Sequence, residues 1–265
     1  MIGILLGLII NLVHLRGKIH KDVLFVADPD KALKSTGEQP TPLFRFTMTN
    51  LIEEGMELTI ATSNTPAAYL EMMGDIRPRL PIIAMDGAIL YNINENSYPK
   101  VYVISAQHAA EMGSFLNDHG IHYFTTVILE DVLLIYYDEL VNEAEKAIYD
   151  KLHRSPYRNY LNKTRPAGHA VVYYMMIDTD AKIKTLLSDI KAEGYDRIFK
   201  ILSYPSDDHP GYRYIKIYNR NATVENMIDH LKKENGYNKV ICVGNEEKDC
   251  DEIVNKLNKS YYLGI

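Results

Sequence analysis

Short apolar runs, each closed by polar or turn-forming residues, set the pattern of this chain. Val23–Ala27 (VLFVA), 57–61 (ELTIA), 81–85 (PIIAM) and Lys239–Val243 (KVICV) are almost wholly apolar over five residues. Runs of this kind suit parallel strands buried on both faces. Helical character falls between them, over 43–54 with Gly55 at its end and over 67–73. Asp86-Gly87 is a turn signal before another short apolar run at 88–91. Residues 223–234 read as a helix whose C-terminus is closed by Gly236, and 249–258 as a further helix. Strand and helix alternate, which predicts an α/β fold built on a doubly wound parallel sheet.

The middle of the chain has a different rhythm. Strand candidates crowd together at 101–104, 121–124, 132–137, 170–177 and 212–218, with helices predicted over 106–119, 140–152 and 181–193. Residues 153–168 are basic and turn-rich and read as a loop. This section predicts a smaller α+β domain, 91–217, inserted into a core formed by 22–90 and 218–265. The last five residues, 261–265, read as a strand.

The chain has 265 residues, enough for a core of this size with an insertion. Its net charge is −6 with no long run of like charge, which argues against nucleic acid as a partner, since phosphate neutralisation needs clustered Lys and Arg. Cys242 and Cys250 form neither a metal-ligand spacing nor a disulfide framework, so a reducing, cytoplasmic setting is expected. Residues 1–21 stand outside the α/β pattern. Their apolar stretch, 2–14, is shorter than the ~20 residues of a membrane-spanning helix. Its basic residues follow the apolar run instead of preceding it, unlike a secretory signal. It reads as an apolar extension, with membrane contact by residues 2–13 as the alternative.

Candidate chemistry sits where the strands end, since ligands of open α/β sheets bind beyond the carboxyl ends of the strands. VLFVA runs into Asp28-Pro29-Asp30, ELTIA into Thr62-Ser63-Asn64, and KVICV into 244–249 (GNEEKD). Two carboxylates at i and i+2 can divide a phosphoryl transfer between them. One attacks phosphorus and forms an aspartyl-phosphate, and the other protonates the leaving group and then activates water. A Mg²⁺ held by carboxylates would offset the phosphate charge. Taken alone, D-P-D is equally the composition of a turn.

Taken in order, these segments resemble the haloacid dehalogenase-like (HAD) superfamily, in particular its Cof-like sugar-phosphatase branch. The first motif, hhhhDxDGTL, is similar to 23–33 (VLFVADPDKAL), and the second, hhxATGR, to 58–64 (LTIATSN). The family's segment built around an Asn-Gly-Ala is similar to 82–91 (IIAMDGAILY), and the fourth motif, hhxhGDxxND, to 240–249 (VICVGNEEKD). The resemblance covers about 22–263, and the predicted insertion falls where this family carries its cap domain. It implies Asp28 as nucleophile and metal ligand, and Asp30 as general acid/base and metal ligand. It implies Thr62, with Ser63 and Asn64, as the phosphate-binding loop. Asn245 and Asp249 complete the implied Mg²⁺ ligands. The implied substrate is a small phosphorylated metabolite.

Departures from the family pattern touch the chemistry. The third motif normally supplies a Lys at the start of a helix, and that position falls on Val224, or on Thr223 in the neighbouring register. Asn245 stands where the family has Asp, so the metal site carries one charge fewer and its Mg²⁺ affinity is expected to be weakened. Ser63 and Asn64 replace the usual Gly and Arg, Lys248 an Asn, and Lys31-Ala32 a Gly-Thr. Two readings follow. One is a Mg²⁺-dependent phosphatase with impaired activity, in which Lys31 or Lys248 takes over the missing charge. The other is a catalytically inactive HAD-fold protein that binds a ligand or partner in the same cleft.

Other chemistry-bearing residues read as structural. His119 and His122 are separated by Gly120, which breaks the helix between them, so they form no metal pair. The pairs Tyr136-Tyr137 and Tyr173-Tyr174 fall in strands, where tyrosine is favoured for packing.

Overall fold

In the computed structural model the described residues are 22–27, 42–74 and 76–243. They fall into two compact units, one running to Val101 and resuming at Thr223, the other spanning Tyr102–Ala222. The first stretch holds β1 (Val23–Ala27), α1 (Pro42–Glu53), β2 (Leu58–Ile60), α2 (Pro66–Met73), β3 (Ile82–Ala84), β4 (Ile89–Asn92) and β5 (Ser97–Val101). The second unit holds β6 (Phe124–Leu129) to β11 (Tyr212–Asn219). Between these lie β7 (Val132–Tyr137), β8 (Asn159–Asn162), β9 (Val171–Thr179) and β10 (Phe199–Pro205). Its helices are α3 (Ala106–Asp118), α4 (Glu143–Leu152) and α5 (Asp180–Ala192). The chain then returns to the first unit with α6 (Val224–Asn235) and β12 (Lys239–Val243).

In the first unit β1 is the middle strand of a parallel sheet, β12-β1-β2. All five of its residues are buried, as a continuous apolar run requires. A parallel bridge between Ala61 and Ile83 links this sheet to the antiparallel β3-β4-β5. Arg45 of α1 donates to the carbonyls of Met73 (2.8 Å) and Met72 (3.2 Å), satisfying acceptors that the end of α2 leaves open. Gly74 is what lets the guanidinium in: its φ is +59°, and a Cβ there would lie 2.6 Å from Arg45 Nη1. The Tyr237 hydroxyl donates to Glu57 Oε2 at 2.9 Å and so ties the segment after α6 to the start of β2.

The second unit is a six-stranded sheet, β10-β11-β9-β6-β7-β8, antiparallel except for the β7–β8 pair. Helices α3 and α5 cover one face through a core that includes Met112, Leu116, Ile183, Tyr174, Met176 and Ile217. On the other face Ala144 and Ile148 of α4 pack on Ile177. A buried carboxylate starts α4. Glu145 accepts from the backbone N–H groups of Val141 (2.7 Å) and Asn142 (3.2 Å), while Asn142 Oδ1 accepts from Glu145 N (2.9 Å). This reciprocal cap offsets the cost of burying the charge.

The α/β class expected from the sequence is present, with its parallel core strands in the predicted places. Several details differ. The strand expected over 101–104 lies earlier, as β5, and beyond it Ile104 makes only an isolated bridge to Val171. Pro99 disguises β5, and it is tolerated because β5 is an edge strand. The strand expected at 121–124 starts only at Phe124 and runs to Leu129. The predicted loop 153–168 contains β8, and β10 was not predicted at all. Cys242 is disulfide-bonded, which corrects the expectation of no disulfide. No described helix is long and apolar enough to cross a membrane. The segment 2–14, the helix predicted at 249–258 and the strand at 261–265 lie outside the described residues.

Tyr174 in β9 makes the second unit sensitive to alkali. Its hydroxyl donates to the Ala109 carbonyl at 2.8 Å, and burial pushes its pKa up to about 12. The unfolded chain releases this proton near pH ~10, so above that pH the folded state binds more protons and stability falls as pH rises. Denaturant melts are expected to show a loss beginning near pH ~10 and continuing towards the folded value. Tyr174→Phe should reduce that slope, to which Tyr137 and Tyr160 also contribute, and cost about 1 kcal/mol at neutral pH.

Candidate active site

Parallel pairing brings three strand ends to one edge of the first unit. Ala27 stands opposite Val243 on one side and Ile60 on the other, so β12, β1 and β2 finish level with one another. Of the residues expected to follow, Asp28, Asp30, Asn245 and Asp249 lie outside the described residues, as do Lys31 and Lys248. Thr62, Ser63 and Asn64 are described.

The Thr62–Asn64 loop is fastened from two sides. Ala61 N donates to Ala27 O (2.8 Å) and Thr62 N to Ile83 O (2.9 Å), which extend the sheet by one residue past β2. Inside the loop, Asn64 N donates to Thr62 Oγ1 at 3.0 Å. The Thr62 side chain is buried, whereas Ser63 and Asn64 are half-buried. Thr65 then caps α2, its hydroxyl accepting from Ala68 N (3.3 Å), with Pro66 in the first turn. The loop therefore leads directly into a helix N-terminus, which favours anions.

The second fastening is the turn Met85–Gly87. Met85 N donates to Asn64 O (2.9 Å), and Asp86 N to Thr62 O (3.3 Å). Three consecutive residues here have positive φ, at 54°, 57° and 88°. Asp86-Gly87 was legible as a turn; its grip on the Thr62 loop was not, because backbone bonds between distant segments leave no mark in composition. Gly87 also receives the start of α6. A Cβ at position 87 would lie 2.2 Å from the Thr223 carbonyl carbon and 2.4 Å from Val224 N. Thr223 is the N-cap of α6, its hydroxyl accepting from Asn226 N at 3.1 Å, and Val224 is the first helical residue. The position expected to carry a lysine is thus a capped, uncharged helix start. Among the described residues no group of three or more His, Cys, Asp or Glu is placed to hold a metal ion.

The sequence profile of the haloacid dehalogenase-like hydrolases matches residues 25–264. The chain belongs to that family. No match was found among curated protein sequences. Several solved structures share the HAD fold. A Thermotoga maritima protein is 19% identical, with a TM-score of 0.61 over 83% of this chain and 78% of its own. A haloacid dehalogenase-like hydrolase from B. subtilis is 13% identical, with a TM-score of 0.58 over 89% and 98%. A sugar phosphatase of HAD subclass IIB is 17% identical, with a TM-score of 0.55 over 84% and 82%. At these identities the likeness shows the fold alone.

Within this HAD-like core, the steric demand at Gly87 is directly testable. Gly87→Ala combines an unfavourable backbone conformation with a clash against the α6 backbone. It is expected to cost about 3 kcal/mol, read as a lowered denaturation midpoint.

Proposed function

We propose that this HAD-like hydrolase is a phosphatase of small phosphorylated metabolites, of sugar-phosphate type. The observation that carries the reading is the level finish of β12, β1 and β2 beside a Thr62 loop held at a helix N-terminus. Asp28 follows β1 directly and is the nucleophile. Its carboxylate oxygen bonds to phosphorus as the bond from phosphorus to the leaving oxygen breaks, and Asp30 gives its proton to that oxygen. Water then attacks the aspartyl-phosphate, Asp30 takes its proton back, and inorganic phosphate leaves as the Asp28 carboxylate is restored. Thr62, with Ser63 and Asn64, binds the phosphate oxygens. The inserted domain, expected over 91–217 and seen as the compact unit Tyr102–Ala222, is the cap that selects the substrate. One of the solved structures of this fold is a sugar phosphatase, which supports the substrate class.

The donors Asp28, Asp30, Asn245 and Asp249 are all oxygen ligands and suit a hard dication, and the strands leading to them end side by side. A Mg²⁺ held there would neutralise phosphate charge. Asn245 contributes a carbonyl oxygen without charge, so the affinity is lower than for an all-carboxylate set.

A second reading, a ligand-binding protein without turnover, is favoured by the uncharged pair Thr223-Val224. Hydrolysis of a generic aryl phosphate separates the two. The phosphatase reading expects activity that needs Mg²⁺ and disappears in Asp28→Asn. It also expects Val224→Lys to raise kcat/KM by about tenfold or more, because a cation would then face the dianion. Equal, background rates for wild type and Asp28→Asn across a set of sugar phosphates would establish the binding reading instead.

A further inference from the structure

Two cavities share a wall within the second unit. One, of about 290 Å³, is bounded by α3, by β6 and β7, and by the loop 163–165. The other, of about 280 Å³, adjoins it, and Asn117, Tyr123 and Asp138 line both. Pockets for small ligands run from about 300 Å³ upward, so each is sized for a metabolite.

The space has a structural cause. Toward the cavity α3 presents Ala109, Ala110, Gly113 and Ser114, none with a long side chain. Across the sheet, register puts Thr125 between Tyr136 and Tyr174, a short side chain flanked by two rings. Thr125 is 3% exposed and lines the first cavity. A hydroxyl lining a cavity can both donate to and accept from a ligand.

The charges are separated and held. Lys163 and Arg165 line the first cavity, and Glu139 the second, with the Asp138 carboxylate on the shared wall. Arg165 Nη1 donates to the carbonyls of His169 (2.5 Å) and Pro166 (2.9 Å), which fixes the guanidinium on its own loop. Asp138 is fixed to the same loop: Thr164 Oγ1 donates to its Oδ1 (3.2 Å) and Asn162 Nδ2 to its carbonyl (2.9 Å). A phosphate dianion in this space would meet the Asp138 carboxylate, and a simple cation would meet Lys163 and Arg165. A ligand carrying both charges satisfies both ends.

We propose that the first cavity binds a small zwitterion of the α-amino-acid class. Lys163 and Arg165 take its carboxylate and Asp138 its ammonium, with Thr125 lining the space between them. The site stands apart from the phosphatase reading and does not depend on it.

The test uses the full chain. Ligand-observed NMR with the standard L-amino acids finds the tightest binder, and calorimetry then compares it with its N-acetyl and carboxamide forms and with inorganic phosphate. Each blocked form is expected to bind about tenfold more weakly or worse, since each loses one charged pair. Arg165→Gln should weaken binding by a similar factor and Thr125→Val severalfold. Because Arg165 also steadies its loop, the exposed Lys163→Gln serves as the variant that leaves the fold intact, with an unchanged melting temperature as the check. The proposal is overturned if no amino acid binds, if N-acetylation or amidation is neutral, if phosphate binds as well as the amino acid, or if Lys163→Gln binds like wild type.

Discussion

Strand β1 has no edge and no face open to water. It pairs on both sides with parallel neighbours, and all five of its residues are buried. Its register places Ala27 level with Val243 and Ile60. A slip by one residue would turn every side chain of the strand over and would move the exit of the chain by half a pleat. The level finish of the three strands is thus a consequence of packing several residues earlier. Where chemistry must be placed to within fractions of an ångström, a strand that cannot slip is a better anchor than a loop.

The second unit meets a different demand, burying charge inside a sheet. Lys200 is buried, and its ammonium donates to the Ala222 carbonyl at 2.6 Å and lies 5.6 Å from the Tyr218 ring centre. Lys216 lies 5.6 Å from the Tyr204 ring. Tyr173 and Tyr218 stack at 4.9 Å on the same face. Ring faces carry negative potential and recover part of the solvation that a buried ammonium loses. The opposite face, under α3 and α5, is a dry core of aliphatic and aromatic side chains. One face supplies most of the hydrophobic stabilisation and the other tolerates charge because its partners are aromatic.

What could be read from the sequence follows the same physics. Strand β1 was legible because burial on both faces demands an unbroken apolar run, and β12 carries a similar run although it is exposed at Lys239 and half-buried over 240–242. The cap of α6 was legible at Gly236, whose φ is +72°. Strands β8 and β10 were not legible. β8 is a four-residue edge strand in a basic stretch, and β10 mixes Lys200, Ser203 and Pro205 with apolar residues. Its polar residues find partners only in the folded sheet, for example Ser203 Oγ donating to the Tyr214 carbonyl at 2.9 Å. Of the candidate site, the Thr62 loop was legible as a polar segment after a buried strand. The backbone clamp from Met85 and Asp86 was not, because main-chain hydrogen bonds do not depend on which side chains carry them.

Geometry and charge are conserved by different forces at such a site, and the start of α6 shows the difference. Gly87 meets the Thr223 and Val224 backbone where any Cβ would sit 2.2 to 2.6 Å from three of its atoms. Repulsion at that range rises over tenths of an ångström, so no substitution elsewhere can relieve it. A lysine at the first position of α6 acts through a field that falls only as the inverse of distance. Its charge can be supplied from another direction, or dispensed with if the bound group carries less charge, without moving the helix. The steric half of the arrangement is therefore fixed by the fold, with Thr223 still capping α6 and Val224 occupying the helix start. The electrostatic half is free to change with what the site binds.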